Sequence, residues 1–166
     1  MIGQPVGRDR DPAGRPRNAR PRDALGRPLP KGATGVERVP DDYAPGADQA
    51  VTDAVHYLAE GRPFHAHEVL EARWKTGPTE ERELWQGLAQ VCVGLTHIQR
   101  GNARGAATLL NRGADSIGRY STPEPRQPFD LDEMVRTARD LAEHPVSDPG
   151  AAITRVAEIL RPSGGG

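Results

Sequence analysis

Between Phe64 and Asn102 the chain sets histidine, glutamate and glutamine side chains at intervals of three, four and seven residues. His67 and Glu71 are four apart, one helical turn, where an imidazole and a carboxylate meet on one face. Gln86, Gln90 and His97 recur on one side of the segment that follows, and Glu68 sits beside the first pair. Imidazole and carboxylate groups offered by facing helices are the donor set from which metal sites inside bundles are built. His67, Glu71 and His97 are therefore candidate ligands of a divalent ion such as zinc or iron, and His67 with Glu71 is a candidate acid/base pair. A third reading needs no chemistry: the same groups form an internal hydrogen-bonded network that fixes how the helices cross, because an unsatisfied buried polar group costs about 1–3 kcal/mol.

The spacing is not one of the strong signatures. His67-Glu68-Val69-Leu70-Glu71 opens like a zinc-protease helix but has Glu71 where the second histidine belongs, and the paired Glu-x-x-His motifs of di-iron bundles are absent. No activated nucleophile, phosphate-binding loop or oxyanion donor accompanies the pair in sequence. Trp74 and Trp85 read as core or rim packing.

These residues need helices to position them. Val51, Ala54, Val55 and Leu58 recur at helical spacing, with Gly61 as a stop and Pro63 at the opening of the next helix. That second helix, 64–75, places Phe64, His67, Leu70, Glu71 and Trp74 within a sector of roughly 120°, which is read as its inward face, with His65 and Val69 pointing elsewhere. A third and longest helix, 80–100, carries the stripe Leu84, Leu88, Val91, Leu95 and Ile98. Gly87 and Gly94 on its other side mark the close approach of another backbone, so this helix is central. Gly101 and Asn102 read as a stop followed by an N-cap. A fourth helix to Tyr120 turns Ala106, Leu110, Gly113 and Ile117 inward and Arg104, Arg112 and Arg119 outward. After the prolines of 121–128, Asp130 and Asp148 cap a fifth and a sixth helix. The expected architecture is all-α, a compact bundle of about five to six helices around a long central one. No strand with period-two alternation is evident.

Residues 1–44 differ in kind. They hold nine Arg or Lys against six Asp or Glu, many prolines and few large apolar side chains, a composition that cannot bury enough surface to offset chain entropy. An extended or disordered basic arm is expected here, then one helical domain over 45–162 and a flexible tail over 163–166. The arm lacks aromatics to stack on bases, yet Arg15, Arg17, Arg20, Arg22 and Arg27 are candidates for phosphate contacts. It could also lie back along the more acidic body, with Leu25 and Leu29 as anchors. A single cysteine, Cys92, excludes an internal disulfide. No apolar run approaches the ~18 residues that span a bilayer, so a cytoplasmic location without membrane contact is expected.

Two blocks carry a resemblance. The run F-x-A-H-E-V-L-E-x-x-W at 64–74, and W-Q-G-L-A-Q-x-x-V-G-L-x-H-x-Q-R-G-N-x-R-G-A at 85–106 with Tyr120 beyond, is similar to the small prokaryotic helical family catalogued as domain of unknown function 309. The resemblance covers about residues 47–120 and implies an all-helical bundle with no established activity. It marks His67, Glu68, Glu71, Trp74, Gln86, Gln90, His97, Gly101 and Asn102 without giving any of them a role. The foremost functional reading is thus a binding or interaction module for a protein partner or small ligand. The alternatives are a metal-dependent or acid/base, hydrolase-like enzyme centred on His67, Glu71 and His97, and a nucleic-acid-associated protein using the arginine arm.

Overall fold

A computed structural model of the chain describes residues 9–10, 16–17, 42–120, 129–144 and 148–161. Six helices carry the fold: α1 Ala47–Ala59, α2 Pro63–Thr76, α3 Arg82–Gln99, α4 Ala103–Arg119, α5 Leu131–Glu143 and α6 Pro149–Leu160. A 3₁₀ turn, Thr79–Glu81, leads into α3. Each helix packs on the next, α6 returns to α1, and α3 also touches α6 across the bundle. The expected all-helical bundle with a long central helix is what forms. The sequence reading missed one small pairing in the arm: two-residue strands, β1 Asp9–Arg10 and β2 Pro16–Arg17, lie antiparallel with Asp9 opposite Arg17. The rest of 1–41 and the 162–166 tail lie outside the described residues.

The helix boundaries follow from backbone chemistry. Gly61 (φ 73°) and Gly101 (φ 76°) adopt the left-handed conformation that glycine takes without penalty. At the first corner the Gly61 and Arg62 amides donate to the Leu58 and Tyr57 carbonyls, both at 2.9 Å. At the second, the Gly101 and Asn102 amides donate to Ile98 and His97 at 3.0 and 2.9 Å. Both are the paired bonds that close a helix end with a C-terminal glycine. Asn102, Asp130 and Asp148 then accept from backbone amides two or three residues ahead, satisfying donors that the first turn leaves open.

The core takes the predicted stripes of α3 and α4, including Leu84, Leu88, Leu95 and Leu110, together with Met134 of α5 and Leu160 of α6. Trp85 joins it, fully enclosed at 0 % exposure. The glycines of α3 do face a neighbouring backbone. A methyl group on Gly87 would stand 2.9 Å from the Gly113 carbonyl oxygen of α4, and one on Gly113 would stand 2.7 Å from that of Gly87.

One face was misjudged. The buried residues of α2 are Pro63, His65, Ala66, Val69 and Leu70, so His65 and Val69 point into the bundle. Phe64, His67, Glu71 and Trp74 are only half-buried. The reason is that α2 is wedged between α1 and α3, and the small Ala66 and Val69 allow that approach where a file of rings would not. His65 is accommodated by the Tyr57 ring of α1, centroids 5.5 Å apart.

Candidate functional site

Opposite its most buried face, α2 carries a half-buried strip that holds Phe64, His67, Glu71 and Trp74, the last packed against the edge of the core, with Glu68 half-buried at the margin. His67 Nε2 lies 3.0 Å from Glu71 Oε2, and His67 Nδ1 lies 3.2 Å from the Phe64 carbonyl oxygen. Lys75 Nζ donates to the other Glu71 oxygen at 2.7 Å. The Phe64 ring stands 5.2 Å from the imidazole. The His67 hydrogen bond holds the Glu71 carboxyl down to about 2, against the upward push of partial burial and with help from Lys75.

Both ring nitrogens of His67 are directed at oxygen atoms of their own helix. That arrangement suits a fixed polar feature of the surface rather than a general base.

His97 belongs elsewhere. At the α3–α4 corner its Nδ1 accepts from Asn102 Nδ2 at 3.2 Å, while Asn102 Oδ1 accepts from the Gly105 amide at 2.9 Å. A methyl group on Gly105 would collide with Asn102 Nδ2 at 2.5 Å and His97 Nδ1 at 2.9 Å, which explains a small residue there. Desolvation, then the nearby Arg100 charge, lowers the His97 pKa. This agrees with Nδ1 acting as acceptor. The expected network is therefore two separate pairs, one along α2 and one at the corner. His67, Glu71 and His97 do not assemble into a metal cage: among the described residues no group of three His, Cys, Asp or Glu side chains is placed to hold an ion. Gln86 and Gln90 line the half-buried side of α3, and the enclosed Gln90 Oε1 has no hydrogen-bond partner among the described residues. The α4 arginines are exposed as expected, but Arg119 is paired with Glu83 at 3.3 Å and the neighbouring Asp115 with Arg139 at 2.7 Å. No uninterrupted basic face results.

The sequence reading passed over an ionic contact that is largely enclosed. Arg73 Nη2 donates to Glu81 Oε1 at 2.9 Å, Trp85 Nε1 donates to the same oxygen at 2.7 Å, and the guanidinium lies over the Trp85 ring at 5.6 Å. Both charged side chains are only 14 % exposed. Arg73 also reaches the Pro45 carbonyl at 3.5 Å, pinning the chain that enters α1. Beside it Tyr43 donates to Asp53. Glu81 and Trp85, one turn apart, were the available signal; the Arg73 partner needed the fold.

The geometry defines a six-helix bundle with an aromatic-ended polar strip on α2. Residues 51–109, from within α1 to within α4, match the family model described as "Domain of unknown function (DUF309)". The "Uncharacterized protein YpuF" of Bacillus subtilis (strain 168) is 42 % identical over 57 residues, which is 34 % of this chain and 33 % of that protein. The chain thus spans about a third of that relative's length. No solved structure gives a significant match. The resemblance read from the two motif blocks is borne out by this match, which covers residues 51–109 of the helical bundle. Among the described residues no helix is long and apolar enough to cross a membrane.

Proposed function

We propose that the domain is a binding module, and that the α2 strip of Phe64, His67, Glu68, Glu71 and Trp74 is its recognition surface for a protein partner. The observation that carries this reading is the division of labour on α2. His65, Ala66, Val69 and Leu70 do the packing, whereas the strip sets an aromatic ring at each end and a pre-ordered His67–Glu71–Lys75 chain between them. Aromatic anchors with fixed polar groups are the usual substance of interaction hot spots. A cytoplasmic setting is part of the proposal and fits a lone cysteine, Cys92, that is buried.

The test is photocrosslinking in the native host from a benzophenone side chain at position 75, with exposed position 104 as control. Adducts of defined mass are expected from 75 alone, and should vanish when Trp74→Ala and His67→Ala are introduced. Equal labelling from both positions, or none from 75, would defeat the proposal.

A further inference from the structure

We propose that the α3–α4 corner is an acid-operated latch: a proton taken up by His97 withdraws the side-chain cap of Asn102 and lets the first turn of α4 open. The cap dictates the chemistry. Asn102 Oδ1 accepts from the Gly105 amide at 2.9 Å, so the same side chain turns its Nδ2, which can only donate, toward His97 Nδ1 at 3.2 Å. His97 Nδ1 is therefore the acceptor, and the ring is neutral with its hydrogen on Nε2. A proton on Nδ1 sets donor against donor. The contact survives only if the Asn102 amide turns over, and turning over points Nδ2 at the Gly105 N–H and ends the cap. Both side chains are pressed on the α4 backbone, since a methyl group on Gly105 would stand 2.5 Å from Asn102 Nδ2 and 2.9 Å from His97 Nδ1, so neither changes partner without disturbing the turn.

The surroundings of the ring keep the latch shut at neutral pH. Partial burial, then Arg100 on the same helix, holds the His97 pKa below the ordinary imidazole value. The charged groups of the neighbouring helices do not offset this. On α2, Arg62 is bound to Glu60 at 2.8 Å and lies over the Tyr57 ring, and His65 rests on the same ring. On α4, Arg104 adds a second positive charge near the corner, and on α6 Arg155 is held by Asp140 at 2.9 Å. Among the described residues no carboxylate bears on His97. The folded chain thus favours the neutral ring, so its contribution to stability is complete above pH 6.5 and declines below it, and the latch opens as the pH falls through the lowered value of the folded state. What opens is limited. The Gly101 and Asn102 main-chain bonds to Ile98 and His97 contain no titrating group, and of the first four residues of α4 only Ala106 is buried. The turn can fray while the core stays packed.

Nuclear magnetic resonance on the full chain, between about pH 7.5 and about pH 4.5 across the imidazole range, tests the latch. The His97 ring nitrogens should report the Nε2–H tautomer at the upper end. Protection of the Gly105 amide from solvent exchange, relative to an unstructured peptide, should fall about fivefold on acidification, the size set by loss of a side-chain cap, with the midpoint of the His97 ring. The Leu95 and Leu110 amides of the core should keep their protection. His97→Gln, which stays neutral, should remove the pH dependence. Asn102→Asp should reverse the sign: a carboxylate caps as well as the amide and accepts from a protonated ring, so the His97 midpoint should rise and Gly105 should stay protected in acid. Three results overturn the proposal: native Gly105 protection that ignores pH, a fall that survives His97→Gln, or a fall of equal size in Asn102→Asp. If His97→Gln does not fold, Asn102→Asp decides alone.

Discussion

Replacing Gly113 by alanine tests the central contact of the bundle with a sign as well as a size. Away from contacts, alanine in a helix interior gains up to about 1 kcal/mol over glycine. At Gly113 the added carbon would lie 2.7 Å from the Gly87 carbonyl oxygen, 2.8 Å from Val91 Cγ2 and 3.1 Å from the Val91 amide nitrogen. Two of these three are backbone of α3 and cannot rotate away, so α3 and α4 must separate. Overpacking of this kind costs about 1–3 kcal/mol, leaving a net loss of up to about 2 kcal/mol after the propensity gain. Gly118, in the same helix, has nothing within 4 Å of the equivalent position, and Gly118→Ala should stabilise by about 0.5 kcal/mol. Urea unfolding followed by far-ultraviolet circular dichroism gives both values from the midpoints at unchanged slope. A Gly113→Ala chain as stable as the Gly118→Ala chain would refute the close approach of the two helices.

Two other outcomes follow from the ionic contacts. Arg73→Ala strands Glu81 at 14 % exposure with only the Trp85 indole as donor, and should cost about 2–3 kcal/mol with little relief from salt in urea titrations; a cost that salt abolishes would place the pair at the surface. For Glu71, folding lowers the pKa from 4.5 to about 2, so its stabilisation is complete above pH 4.5, declines below it and is gone near pH 2. Allowing for solvent screening of a side chain 34 % exposed, the native chain should lose about 1 kcal/mol more than Glu71→Gln between pH 5 and pH 2, and parallel acid titrations of the two would refute the pairing.

The framework was legible because its signals are local. Gly61, Gly101, Asn102, Asp130 and Asp148 act through backbone groups only a few residues away, and the stripes of α3 and α4 have enough large aliphatic residues to show their period. The orientation of α2 was not legible for the same physical reason reversed. Its inward face is built of His65, Ala66, Val69 and Leu70, two of them small and one polar, while its rings lie at the margin. A wheel weighted by hydrophobicity therefore rotates toward Phe64 and Trp74. Spacing also joined His67 to His97, although what each touches is decided by how α2 and α4 flank α3. The pairing of Arg73 with Glu81 depends on the α2–α3 turn folding back, and no periodicity encodes that.

The Gln99 amide donates to the Gly61 carbonyl at 2.8 Å, which fastens the two glycine corners to each other. The bundle consequently has unlike poles. One is laced by main-chain bonds that neither acid nor salt can loosen. The other, where Pro45, Arg73, Glu81 and Trp85 meet, depends on charged side chains, so the firmness of the molecule is graded along its axis, and the segment that enters α1 is held at the pole that yields first.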